Sequence, residues 1–406
     1  MDWIKELLVA TEDLESPKSY YYWAALATIS AVVGKRVYLN RGGVYNLYPN
    51  IYVFLISKKS GLRKGVPVNM AKKLTHDVGT VRVIDGQNSV QGMIKELGKI
   101  YTTPKGHVIK EAEGFLITGE FASFMLQDGT NFSLTTLTDL YDTQYHEQGF
   151  KKRLSTQDEI SLKNPCISGL FASNETHFFD VIPKNAISGG FLARTFCIYE
   201  EKRNAFNSLT KAQTKKIDYN KIVRYLEELS KVTGEFRLAP KAVETYDKWY
   251  YDFVGQESDD DTGTDERIGD NILKAAMLIS LARDSDLVIE NQDIVEAIEK
   301  SMEAFAGMRR LLFSGTGDPR SIKATAYKST MSMLLGAPGF EVSRRKVLLK
   351  AAGSFGPYDL DEVIENFLQS KVLVIEKRGG ETYYRLKEWV IERHKKLNKD
   401  GEERVN

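Results

Sequence analysis

The stretch Lys58-Lys59-Ser60-Gly61-Leu62-Arg63-Lys64-Gly65 lies between an apolar run, Ile51 to Ser57, and a segment, Val66 to Leu74, that can form a helix with Pro67 in its first turn. A loop in that setting aims backbone N–H groups and a helix N-terminus at phosphate oxygens, and a lysine within it reaches the outer phosphates. Lys64 is the residue for that role, with Ser60, Gly61, Arg63 and Gly65 completing a cradle for ATP. Set against the pattern G-x-x-x-x-G-K-[ST], the loop carries Lys58 and Arg63 in place of the glycines, and Gly65 in place of the hydroxyl that would hold Mg2+. The alternative is a basic surface loop joining a strand to a helix.

Three more residues have types and settings that suit phosphate chemistry. Phe115-Leu116-Ile117-Thr118-Gly119-Glu120 reads as an apolar strand ending in a carboxylate, so Glu120 is the candidate base for orienting a hydrolytic water. Gly119 stands where an aspartate would assist Mg2+, and a carboxylate that merely ends a strand is the plainer reading. Asn174 follows the buried run Cys166 to Ala172, where a polar side chain either senses a terminal phosphate or forms a turn. Arg194 follows the flexible pair Gly189-Gly190 at the start of another apolar run. In a ring assembly such an arginine stabilises phosphoryl charge in the neighbouring subunit; the alternative is a salt-bridged strand arginine.

These residues need a sheet to position them. Short apolar runs at Val81 to Ile84, Phe115 to Thr118, Cys166 to Ala172 and Arg194 to Tyr199 join the one ending at Ser57, with helical or loop segments between most of them, which predicts an α/β core over 49–204. Before it, 1–48 reads as two helices, Trp3 to Val9 and Ser19 to Val33, and a short strand. After Glu200 the strand signal disappears, and helical spacing at Asp218 to Leu229, Ala239 to Phe253, Asp265 to Arg283 and Asn291 to Leu312 predicts a helical subdomain over 205–314. Ser314 to Pro319 reads as a linker, and 320–393 as three helices followed by a hairpin, the order of a winged helix.

Composition narrows the classes. With 56 basic and 55 acidic residues in 406, the net charge of +1 excludes a generally basic nucleic-acid coat and leaves DNA contact to local clusters. Cys166 and Cys197 lack histidines at ligand spacing, which disfavours a zinc site or a disulfide framework and suits a reducing, cytoplasmic compartment. Tyr20 to Val33 is too short to span a membrane, so no membrane partner is expected.

Tyr22-Trp23-Ala24, Tyr48 to Val53, Ser60 to Gly65, Gly119-Glu120-Phe121, Asn164 to Ser168, Gly189-Gly190-Phe191 and Arg194 together resemble a family of phage- and plasmid-encoded P-loop proteins described as primase- or helicase-like. The resemblance covers about residues 18 to 310 and implies a P-loop NTPase core of the RecA/AAA+ type that binds ATP and Mg2+. Gly65, Val66 and Gly119 depart from the family pattern at the positions that would support Mg2+. The segment from Asp265 also resembles the lid of AAA+ replicative helicases, which implies a nucleotide or neighbour contact for Arg267.

DNA contacts are expected in two places. Gly149 to Lys163 alternates at both ends like a hairpin, where Lys151, Lys152 and Arg153 would meet phosphates and Phe150 would stack on a base. In the winged helix, Arg344, Arg345 and Lys346 on the second helix and Lys377, Arg378 and Arg385 on the wing face duplex phosphates, while the acidic run Asp359 to Glu365 argues against base reading by the third helix. The function expected from the whole is an ATP-dependent, ring-forming, possible-hexamer motor on DNA, working with replication proteins. A nucleotide-sensing scaffold or helicase loader without efficient hydrolysis is the second expectation, and a winged-helix regulator the third.

Overall fold

The computed structural model describes residues 2–58, 60–85, 89–142, 150–153, 159–182, 190–206, 218–254, 264–316, 319–350 and 357–394. They fall into two compact units, Met1–Gly315 and Thr316–Asn406. No helix among the described residues is long and apolar enough to cross a membrane.

The first unit is built on five parallel strands: β1 (Tyr52–Ser57), β2 (Val83–Asp85), β3 (Glu113–Thr118), β4 (Cys166–Asn174) and β5 (Thr195–Glu200). Their order across the sheet is β5-β1-β4-β3-β2. All six residues of β1 are buried, which is why its sequence is an unbroken apolar run instead of an alternating one. From β1 the chain crosses to the far edge at β2, returns through β3 and β4, and then places β5 on the other side of β1. The connections leaving β1 and β4, two adjacent strands, therefore depart in opposite directions, and the crevice at their carboxyl ends is a topological switch point.

Helices cover the sheet. Thirteen of the sixteen residues of the Lys18–Val33 helix are buried, so it is a core helix, apolar nearly all round. The Gly65–Val78 helix follows β1 and ends on Gly79, whose φ of 67° a residue with a side chain would adopt only with strain. Beyond β5 come the Tyr219–Leu229, Pro240–Val254, Thr264–Arg283 and Asn291–Thr316 helices. Contrary to the expected loss of strands after Glu200, short ones persist: Gly234–Glu235 pairs with Val37–Arg41, and Arg237–Leu238 with Val288–Ile289. Two-residue strands carry too little alternation to be read from sequence.

The second unit has a core of its own around Leu334, Val347, Leu360, Ile364 and Tyr384. It contains the Pro319–Leu335, Arg344–Lys350 and Pro357–Gln369 helices and a three-stranded antiparallel sheet, in which Glu381–Leu386 lies between Glu341–Ser343 and Leu373–Arg378. The division between the units, Gly315 to Thr316, falls within the expected linker Ser314 to Pro319; the Asn291–Thr316 helix runs through its first three residues, a helix opens at Pro319, and residues 317 and 318 lie outside the described residues.

Candidate functional site

The register of the sheet lines up one set of polar residues along its carboxyl edge. Ser57 pairs with Asn174 on one side and with Glu200 on the other, and Asp85 lies level with Ile117, next to Thr118. The loop after β1 runs through a single 3-10 turn, Ser60–Leu62, then Arg63 at φ 54°, then Lys64, which caps the Gly65–Val78 helix. Lys64 turns back onto the strand end, its Nζ donating to Ser57 Oγ. Burial holds the Lys64 ammonium below its ordinary value, while the Glu120 carboxylate pulls in the opposite direction. The Glu120 carboxylate, in the loop after β3, thus partly offsets the burial of Lys64 in the β1 loop. The side chain of Ser60 lies outside the described residues.

Glu120 is exposed and opens the Phe121–Leu126 helix, with its backbone N–H on Thr118 Oγ1 at 3.1 Å. Asn174 caps the Glu175–Val181 helix: its Oδ1 accepts from the His177 N–H at 2.8 Å and its Nδ2 lies 3.1 Å from His177 Nδ1. Its side chain stands at the edge expected of a phosphate sensor but is committed to the helix end. A cavity of about 280 Å³ lies along the edge strand β5, lined by Ser19, Trp23, Tyr199, Glu200, Gly307 and Arg310.

Arg194 and Arg267 are not brought to Lys64. Arg194 precedes Thr195, which pairs with Tyr52, the first residue of β1, so it sits at the amino edge of the sheet, six strand steps or roughly 20 Å from the end of β1. There it donates to Asp142 Oδ2 through Nε at 3.2 Å and through Nη2, and to the Gly190 carbonyl at 2.7 Å. A Cβ on Gly190 would lie 2.9 Å from the Arg194 guanidinium, so the close approach needs glycine as much as its φ of 76° does. Arg267 reaches the other oxygen of Asp142 at 3.5 Å. Gly189 lies outside the described residues.

The same corner holds a buried lysine that sequence reasoning passed over. Lys274 donates to the Asn50 carbonyl at 3.1 Å and Oδ1 at 2.9 Å, and its ammonium lies 3.8 Å from the centre of the Tyr141 ring. Burial lowers it to about 7, against the pull of Asp142 and Asp270. The signal was present: Arg267, Asn271 and Lys274 share one helix face at i, i+4 and i+7. Asp85, which bonds Lys72 at the end of β2, was missed too, because a three-residue strand does not reveal where its carboxylate will stand.

The hairpin expected between β3 and β4 is present, Phe150–Arg153 pairing with Glu159–Leu162. Phe150 is a correction: it is 6% exposed and packs in the core, so its ring faces protein and not a base. A residue directly opposite Leu162 shares that strand's inward face. Lys151 is exposed; the side chains of Lys152 and Arg153 lie outside the described residues.

In the second unit, several expected DNA contacts are engaged within the protein. Arg344 bonds both oxygens of Asp361, Arg378 bonds Glu341 and Glu376, and Arg385 bonds Glu376 at 2.6 Å. Arg345, Lys346 and Lys377 are exposed and make no ion pair among the described residues.

ATP and Mg2+ fit the carboxyl edge unequally. Lys64 and the helix start suit phosphate oxygens. The helix begins Gly65-Val66-Pro67, with no side-chain oxygen, and the residue before Glu120 is Gly119, while the Ser57 and Thr118 hydroxyls already hold Lys64 and the Glu120 N–H. Among the described residues no group of three or more His, Cys, Asp or Glu is placed to hold a metal. Among the described residues, the oxygen set that Mg2+ takes from such a loop is therefore not supplied. Compared with models of protein families and with curated proteins, the chain matches none.

Proposed function

We propose that this chain is a nucleotide-binding, DNA-handling protein with a P-loop core of the RecA/AAA+ type, in which nucleotide occupancy controls contact with DNA. The observation that carries the reading is Lys64, returned by the β1 loop to the strand end at the switch point, with the Glu120 charge acting on it. A strand order with β4 between β1 and β3 suits that core, because it places the loops of Lys64, Asn174 and Glu120 side by side. Three helices and a sheet with a two-stranded ribbon support a winged-helix reading of the second unit, and Arg345, Lys346 and Lys377 are its available phosphate contacts.

Sensing without efficient turnover is the better-supported version, since a hydroxyl after Lys64 and an acidic residue before Glu120 are replaced by Gly65 and Gly119, and Asn174 is committed to a helix end. A turnover motor is the second reading; Arg194, buried and bonded to Asp142 and the Gly190 carbonyl, would serve a neighbour's phosphates in a ring only by giving up those bonds. The test is DNA affinity measured with and without ATP, with turnover followed in the same samples. A several-fold change in DNA affinity that Lys64→Ala abolishes is expected. Equal affinity at saturating ATP removes the control by nucleotide, and turnover stimulated by single-stranded DNA selects the motor.

A further inference from the structure

Two arginines from distant parts of the chain meet at the phosphate loop. Arg63 belongs to the loop itself, and holds φ at 54°, a conformation that costs a side chain strain, at a position where the phosphate-loop pattern has glycine. Arg203 comes from the segment after β5, and a Cβ on Gly61 would lie 3.1 Å from its guanidinium, so Arg203 packs directly against the loop backbone. One carboxylate joins them: Glu15 Oε2 accepts from Arg63 Nε at 2.9 Å, and Glu15 Oε1 from Arg203 Nη1 at 3.2 Å. Glu15 is mostly buried, with its side chain 18% exposed, and its segment is tied down on both sides. Ser16 Oγ donates to the Arg63 carbonyl at 2.9 Å, and Asn204 Nδ2 donates to the carbonyls of Glu12 at 2.7 Å and Leu14 at 3.0 Å.

Resting on the reading of this loop as a nucleotide site, we propose that it binds nucleoside triphosphate without a divalent ion. Arg63 and Arg203 supply the two positive charges that Mg2+ would bring, and Glu15 is the internal anion that the polyphosphate displaces. Guanidinium matches carboxylate and phosphate with the same fork of donors, so an arginine pair built around a carboxylate is already arranged for a phosphate. Displacing Glu15 breaks its two bonds to the arginines and leaves the segment from Glu12 to Ser16 held by the Ser16 and Asn204 bonds. The glycines at 65 and 119 then cease to be defects: no metal needs a ligand there.

The test is a titration of the full chain with ATP, once in excess Mg2+ and once in EDTA. Dissociation constants within about threefold of each other are expected. In EDTA, Arg63→Ala and Arg203→Ala should each weaken binding by roughly tenfold or more, as loss of a charge-assisted phosphate contact would. Glu15→Gln should tighten it several-fold, since the amide no longer competes as an anion. Binding that weakens tenfold or more in EDTA overturns the metal-free site while leaving the nucleotide site standing. No binding in either buffer removes the nucleotide reading itself. Unchanged affinity in Glu15→Gln overturns the displacement. The buffer comparison uses the unaltered protein, so it stands even where a variant fails to fold.

Discussion

Lys64 can hold a phosphate only as an ammonium, and its surroundings make that charge dependent on one neighbour. Burial lowers its affinity for the proton and Glu120 raises it. Nucleotide affinity should therefore fall as pH rises through the Lys64 titration, and in Glu120→Gln the fall should come at lower pH, because the supporting charge is gone. A binding profile in Glu120→Gln that superimposes on the wild type would show that the two groups do not act on each other. Lys274 provides a second residue-level test, this one of stability. Its folded-state value of about 7 lies below the ordinary 10.5, so the unfolded chain binds more protons between those limits and stability rises with pH across them. Below about pH 7 both states are charged and the full burial cost applies. Urea unfolding between pH 7 and 9 should thus have a more positive slope in the wild type than in Lys274→Met, by up to ~1.4 kcal/mol per pH unit. Equal slopes would place the titration elsewhere.

At the scale of elements, the sheet depends on close packing around β4. A Cβ on Gly169 would lie 2.5 Å from Cζ of Phe171 and 3.0 Å from the Tyr52 ring, both fully buried, so Gly169→Ala should cost about 1–3 kcal/mol in chemical denaturation. No loss of stability would mean that the rings yield. Most of this layer was legible in the sequence, for a physical reason: strands buried on both faces must be continuous apolar runs, and helices packed on them must repeat at helical spacing. What failed was whatever depends on distant pairing. The strand at Gly234–Glu235 exists because Val37 and Tyr38 offer an edge, and Phe150 is buried because its hairpin partner is Leu162. Lys64, Glu120 and Asn174 could be singled out because Asn174 ends an apolar strand and the other two lie in segments that follow one, positions that a local pattern marks. Glu15 and Arg203 were not, since 188 residues separate them and neither belongs to a motif.

For the whole molecule, two separate cores let the proposed DNA contacts of the second unit be tested apart from the nucleotide site proposed for the first. Single substitutions Arg345→Ala, Lys346→Ala and Lys377→Ala should each reduce the slope of log DNA affinity against log salt by roughly 1, while Arg344→Ala and Arg378→Ala, whose charges are already paired, should change it less. An unaltered slope in all three exposed-cation variants would move DNA contact out of the second unit. Nucleotide binding is proposed for the first unit, at Lys64. Calorimetric titration of ATP into the full chain and into Lys64→Ala tests it most directly. Saturable binding by the wild type is predicted, weakened at least roughly tenfold in Lys64→Ala, or ~1.4 kcal/mol, with the variant's unfolding transition unchanged. A flat titration of the wild type, or equal affinity in the variant, would contradict it.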